Sequence, residues 1–112
     1  MPYRSSKTPR EIWKPIPAYE GMYEASNLGN IRSLPKVVRA RFGTRARPSR
    51  VLKRIVDNDG YLVVTLYNEL GRKNVKVHRM VLAAFRGVKD DKLGLHKNGD
   101  PGDARLSNLD IS

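Results

Sequence analysis

The chain has 112 residues, 39% of them hydrophobic, and 22 Lys and Arg against 11 Asp and Glu give a formal net charge of +11. That length suits one domain with a modest core, no run approaches the roughly 20 apolar residues of a membrane span, and the lack of cysteine excludes disulfides, thiolate zinc sites and cysteine nucleophiles. The cationic excess points to a polyanionic partner (DNA, RNA or anionic lipid), because such a charge concentrates phosphate-rich polymers at the surface.

Residues 1–10 carry Arg4, Lys7 and Arg10, no acid, and no apolar core of the kind a secretory signal needs. They are expected to form a flexible basic tail that adds a phosphate contact. Trp13, Ile16, Pro17 and Tyr19 open the ordered part, and prolines here exclude a helix interior. Residues 22–26 and 31–34 flank the turn-rich tetrad Asn27-Leu28-Gly29-Asn30 and predict a β-hairpin.

Between Glu24 and Asp57 there is no acidic residue, while Arg32, Lys36, Arg39, Arg41, Arg45, Arg47, Arg50, Lys53 and Arg54 stand there. Pro35 and Pro48, with Gly43, Thr44 and Ser49, argue against a continuous helix through 35–50. The stretch reads either as a solvated basic linker or as an arm or ribbon ordered by phosphate contacts. Arginine outnumbers lysine, and guanidinium forks match phosphate oxygens and guanine edges bidentately, which favours the second reading. No basic amphipathic helix is visible, so a membrane surface is the weakest of the partners.

Residues 51–56 and 61–67 flank Asp57-Asn58-Asp59-Gly60, a second hairpin signal, and Leu62, Val64 and Leu66 alternate with Tyr61, Val63, Thr65 and Tyr67. Gly71 marks a turn before the alternation of 74–78, so 51–78 predicts a three-stranded antiparallel meander. A helix is expected from His78 or Arg79, with Met80, Val81, Ala83, Ala84 and Phe85 as its apolar face and Gly87 as its stop. So short a helix must pack on the meander to be stable. Beyond it, 93–95 looks strand-like, 97–105 is rich in Asn, Gly, Asp and Pro and reads as loop, and 106–112 suits a short terminal strand. The chain shows no internal repeat and no second domain.

His96 falls where an apolar strand runs into a polar loop. A neutral imidazole there suits a general base, and a surface or structural histidine is the plainer alternative. Asn98, Asp100, Asp103 and Asn108 surround it in sequence; they read either as oxygen donors for Mg²⁺ near a phosphate or as ordinary turn chemistry. His78 reads mainly as a helix cap or packing residue, with a DNA contact as the lesser alternative. The chain contains no GxSxG, HExxH or phosphate-cradling glycine loop, and no recognisable RNA-binding motif.

Two segments carry a resemblance. Glu11-Ile12-Trp13-Lys14-Pro15-Ile16-Pro17-Ala18-Tyr19-Glu20-Gly21-Met22-Tyr23-Glu24-Ala25-Ser26-Asn27-Leu28-Gly29-Asn30-Ile31-Arg32-Ser33-Leu34 resembles the nuclease-associated modular domain that precedes the HNH domain of phage and intron homing endonucleases. Val77-His78-Arg79-Met80-Val81-Leu82-Ala83-Ala84-Phe85 resembles the helix leading into the HNH core. Leu95-His96-Lys97-Asn98-Gly99-Asp100 and Asp103-Ala104-Arg105-Leu106-Ser107-Asn108-Leu109 are similar to its His-bearing strand, its loop and its Asn-Leu pair.

The resemblance implies an α+β fold of small antiparallel sheets and hairpins, with one short helix leading into an incomplete ββα-metal motif. It divides the chain into a tail (1–10), the modular motif (11–34), a basic arm or loop (35–50) and the HNH-like region (51–112). It implies metal-dependent hydrolysis of double-stranded DNA by a hydrolase with His96 as general base, Asn108 in a structural role, and Mg²⁺ or another divalent cation as cofactor. The nine basic residues named above, with His78 and Arg79, become the expected DNA contacts. Leu95 stands where the family commonly has a metal-ligating Asp, Ala104 where an Asn is common, and the helix with the last ligand would follow Ser112. Asp100 and Asp103 are therefore the substitute metal ligands considered, and a second subunit is a possible source of the missing helix. The alternative is a catalytically inactive DNA-binding remnant or regulator. The expected location is the cytoplasm of a bacterial host or phage-infected cell, on the nucleoid.

Overall fold

The computed structural model describes residues 10–87 and 94–111. The predicted first hairpin is present. Strands β1 (Trp13–Pro15), β2 (Tyr23–Ser26) and β3 (Ile31–Ser33) run antiparallel, with Trp13 opposite Ser26 and Glu24 opposite Arg32. The turn between β2 and β3 is also a fastening point. The Ser26 hydroxyl, fully buried, accepts from the amides of Leu28 and Asn30 at 3.2 and 3.1 Å. Asn27 accepts from the Ile12 amide and donates to the Arg10 carbonyl, and its own carbonyl accepts from the Leu106 amide at 2.8 Å. Gly29, at φ +86, lies so close to Ala104 that a Cβ would sit 3.0 Å from the Ala104 carbonyl carbon, so both conformation and space demand glycine. One four-residue turn thus holds the chain's opening segment and its last loop together.

Residues 35–50 form a ribbon rather than a linker. Strands β4 (Lys36–Ala40) and β5 (Gly43–Arg47) make a two-stranded sheet of their own, from Lys36 opposite Arg47 to Ala40 opposite Gly43. Neither Arg41 nor Phe42 has positive φ; Gly43, at φ 103, supplies the left-handed position that lets the two-residue connection close. The chain then returns as β6 (Arg50–Val51), paired with β3 as the fourth strand of the first sheet.

The meander is β7 (Ile55–Val56), β8 (Leu62–Asn68) and β9 (Gly71–Lys76). The strand expected over 51–56 is split. Val51 belongs to the first sheet, where the following Leu52 amide still donates to the Ile31 carbonyl, and only Ile55 and Val56 pair with β8. On β8, Val64 and Leu66 are buried while Tyr67 faces out, as the alternation implied.

The last strand ends two residues earlier than 74–78 suggested, because α1 (Val77–Arg86) begins at Val77. Val77, Met80 and Val81 share the buried face at helical spacing, and burial on that face outweighs the β propensity of valine. The residue capping the helix is Lys76, so His78 is not a cap; it lies in the first turn with its side chain inside. Gly87 ends the helix as expected, its amide bonding to the carbonyls of Ala83 and Leu82.

Helix α1 packs against β1, β2, β8 and β9, and through them gathers one core in which Ile16, Ile31, Val64, Leu66, Val77, Val81, Leu82 and Leu109 are the largest fully buried apolar side chains. Each such side chain contributes about 1.5–3 kcal/mol relative to exposure. Two short strands complete the fold: β10 (Gly94–His96) pairs antiparallel with β11 (Leu109–Ile111), and a 3₁₀ turn (Leu106–Asn108) leads into the second. Among the described residues the fold is α+β with small antiparallel sheets and one short helix, as expected. No helix among the described residues is long and apolar enough to cross a membrane. The tail at 1–9 and the start of the strand expected at 93 lie outside the described residues.

Candidate functional site

His96 ends β10, where its partner is Leu109 of β11. The loop that follows is held by Asn108, which is buried. Asn108 accepts from the Asn98 amide at 3.1 Å and donates to the Asn98 side chain and the Asp103 carbonyl, both at 3.0 Å, while its own carbonyl accepts from the Lys97 amide at 2.7 Å. Asn98 and Asp100 close successive turns by accepting from the amides of Asp100 and Gly102. The backbone on both sides of His96 is therefore fixed, by the strand before it and by the asparagine clamp after it.

The His96 ring is half-buried against two other rings. Its centroid lies 4.7 Å from that of His78, edge to face, and 5.6 Å from that of Tyr61, while Tyr61 stacks on His78 at 5.2 Å. The Lys76 ammonium stands 4.3 Å from the Tyr61 centroid. The Nε2 atom of His96 is buried and meets no hydrogen-bond partner among the described residues. Burial lowers the His96 pKa below its ordinary value, opposed by the negative charges of Asp103 and Asp100. His78 is lowered further, to about 4, first by burial and then by repulsion from His96, Arg79 and Lys76. Both rings are thus neutral at pH 7.

The carboxylates considered as metal ligands do not fit that role. Arg105 grips Asp103 with a two-point fork at 2.8 and 2.7 Å, and Asn98 donates to Asp103 Oδ2 as well. The same fork, first among the causes, holds the Asp103 carboxyl down at about 2. Asp100 spends Oδ1 on the Gly102 amide, and Leu95 offers no donor. Among the described residues no group of three or more His, Asp or Glu is placed to hold an ion.

The expected nucleic-acid contacts divide. Lys36, Arg39, Arg41, Arg45, Arg47, Arg50 and Lys53 are exposed on the ribbon, on β6 and just after it. Arg32 instead lies half-buried on the first sheet, bridged to Glu24 at 2.7 Å and 4.3 Å from the Trp13 ring. Arg54 donates to the Gly29 carbonyl at 3.0 Å. Arg79 is half-buried on α1, and His78, only 4% exposed, is packed inside rather than displayed. Between the ribbon and the sheets runs a groove of about 680 Å³ lined by Tyr23, Lys36, Arg45, Arg47, Arg50 and Tyr67. Arg72 and Lys73, exposed on β9, extend the cationic surface. They lie beyond Asp57, which closes the acid-free run of 25–56; the available signal was a second acid-free stretch, 70–89. The Tyr61–His78–His96 cluster had no signal in local spacing.

These features define a small basic α+β protein that presents a cationic β-surface and one neutral, half-buried imidazole at the end of a clamped strand. The NUMOD4 motif matches residues 11–67, a span that runs on through the ribbon to β8. The chain is 30% identical over 98 residues to the DNA endonuclease I-HmuI of Bacillus phage SP01, covering 87% of this chain and 49% of that protein. A solved structure, described as DNA binding and cleavage by the HNH homing endonuclease I-HmuI, superimposes with a TM-score of 0.70 at 29% identity, over 90% of this chain and 52% of that one. The chain belongs to the NUMOD4-containing HNH homing endonuclease family. It spans about half the length of the relatives it matches.

Proposed function

We propose that this chain binds double-stranded DNA and, as part of an HNH homing endonuclease, presents His96 as the general base of phosphodiester hydrolysis. One observation carries the reading: a half-buried imidazole, neutral at pH 7, at the end of a strand whose exit is clamped by Asn108. With Nε2 enclosed, Nδ1 is the nitrogen left to meet a water. It takes one proton as the water oxygen forms its bond to phosphorus and the bond to the 3′ oxygen breaks; that oxygen is then protonated from solvent. Burial keeps the resting ring neutral, and Asp103 and Asp100 stabilise the imidazolium once it forms. The exposed arginines of the ribbon and β6 are suited to hold the sugar-phosphate backbone.

Homology suggests a divalent cation such as Mg²⁺, and the described carboxylates do not fit as its ligands. The same misfit, with Leu95 beside His96, favours a second reading in which the chain binds DNA without cutting it. Parallel measurements separate the two. Binding to a duplex is read by fluorescence anisotropy, and nicking of supercoiled plasmid is followed with Mg²⁺, Mn²⁺ or EDTA. Binding with cation-dependent nicking is the expected result; binding without nicking under any condition selects the second reading, and no binding contradicts both.

A further inference from the structure

The largest exposed apolar side chain among the described residues sits in the most cationic part of the protein. Phe42 is 89% exposed, in the two-residue turn that closes the β4–β5 ribbon. Water disfavours an isolated phenyl group, and a frayed loop would let it fold back onto the protein. Here a paired stem and the Gly43 turn hold it out. Its neighbours along the tip are slim: Ala40 pairs with Gly43, and a Cβ added at Gly43 would meet nothing within 4 Å. The Arg41 guanidinium lies 5.5 Å from the ring centroid, so the apolar group arrives at any partner with a cation beside it. Leu70, similarly exposed at 92%, has no such setting; Glu69 precedes it.

A polyanion that also offers an apolar slot is a nucleic-acid duplex, whose phosphates flank stacked bases. The ribbon bears cations on both faces. Register puts Lys36, Arg45 and Arg47 on one side and Arg39 on the other. A flat anionic bilayer meets one face of a ribbon, whereas the walls of a groove carry phosphates past both. A slim tip with an arginine suits the narrow minor groove, where apolar side chains act as wedges between base steps.

We propose that Phe42 is such a wedge: with a duplex held along the ribbon, its ring enters a base step from the minor-groove side, unstacks it and kinks the DNA. Pyrimidine–purine steps, which unstack most easily, are the preferred sites. The proposal rests on the DNA-binding reading above and adds to it a deforming contact.

The test uses a closed circular plasmid relaxed by a type IB topoisomerase in EDTA, with the full chain titrated in and the linking number read after protein removal. Affinity for a 30-bp duplex is measured beside it as a function of salt. The parent is expected to lower the linking number. Phe42→Ala, at an exposed site where folding is not at stake, is expected to abolish most of that change and bind about 5- to 30-fold more weakly with the same salt slope. Phe42→Leu, still an apolar wedge, is expected to keep the change. Duplex binding by the parent without a linking change, or an equal change with Phe42→Ala, overturns the wedge and leaves DNA binding standing. Absence of duplex binding by the parent overturns both readings. Phosphatidylserine vesicles that bind the parent but not Phe42→Ala, with no linking change on DNA, assign the tip to lipid instead and overturn the proposal.

Discussion

The rings of His78 and His96 meet edge to face with centroids 4.7 Å apart, one from the first turn of α1 and the other from the end of β10. This contact joins the helix to the strand pair that carries the proposed base, and Tyr61 stacks on the His78 side of it. Two imidazolium ions could not occupy such positions without strong repulsion. The packing therefore admits at most one charged ring; with His78 held neutral, His96 rests neutral, as a general base must, and can still take up a proton.

The first prediction concerns His78 and acid. Its pKa falls from the ordinary 6.5 to about 4 on folding. Between those values the unfolded ring binds a proton and the folded ring does not, so stability is complete above pH 6.5 and is lost as pH falls toward 4. The loss from this one group is on the order of 3 kcal/mol. Urea unfolding at pH 7.5, 5.5 and 4.5 should show it, and Phe in place of His78 should remove most of the slope over that window. An identical slope in His78→Phe would show that other groups govern acid stability.

A second prediction follows from the clamp. Asn108→Ala removes one accepted and two donated side-chain hydrogen bonds from a buried position. It should cost about 1–3 kcal/mol in urea unfolding and speed hydrogen exchange at the Asn98 amide. Asn108→Asp keeps the acceptor and removes both donors. Its second carboxylate oxygen would face the Asp103 carbonyl and Asn98 Oδ1, both acceptors, so a cost at pH 7 at least that of Ala is the expected pattern; a cost below that of Ala would mean that the two donated bonds hold nothing.

The Arg105 fork allows a third. Asp103 raises the His96 pKa more than Asp100 does. Removing its charge in Asp103→Asn should therefore lower the His96 pKa in an NMR titration, and Asp100→Asn should lower it less. An upward movement in either variant would mean that loop rearrangement, not charge, controls the ring.

How much of the fold and site is legible in the sequence depends on whether the pairing is local. The hairpin around Asn27–Asn30, the meander and the stop at Gly87 are readable, because turn residues and alternation lie next to one another in the chain. The split of 51–56 is not, since the Arg50–Val51 pairing with β3 is decided by a strand earlier in the chain. The helix start is hidden because Val75 and Val77 continue a strand pattern, and only core burial makes Val77 helical. At the site, His96 stands out at a strand end. Its contacts with Tyr61 and His78 are tertiary and leave no local spacing to detect. Asp103 fails as a metal ligand for a reason that is itself local: Arg105, two residues beyond it, is the nearer partner, while Asp100 Oδ1 is taken by the Gly102 amide two residues on.

A fourth prediction separates binding from chemistry. Replacing Arg39, Arg41, Arg45 and Arg47 by Gln should weaken duplex binding. The slope of log affinity against log salt should fall by up to about 0.9 for each arginine that had been neutralising a phosphate. The exposed ribbon packs its own two strands, so the unfolding midpoint should move little. An unchanged slope would place the DNA elsewhere on the protein.

The rate of plasmid nicking by the parent and by His96→Ala, at matched DNA occupancy and pH 7.5 with Mg²⁺ or Mn²⁺ present, tests the central claim most directly. The account predicts nicking by the parent and a loss of about 10²–10⁴-fold in the variant, the usual contribution of a positioned general base. Equal nicking by the two proteins would contradict it.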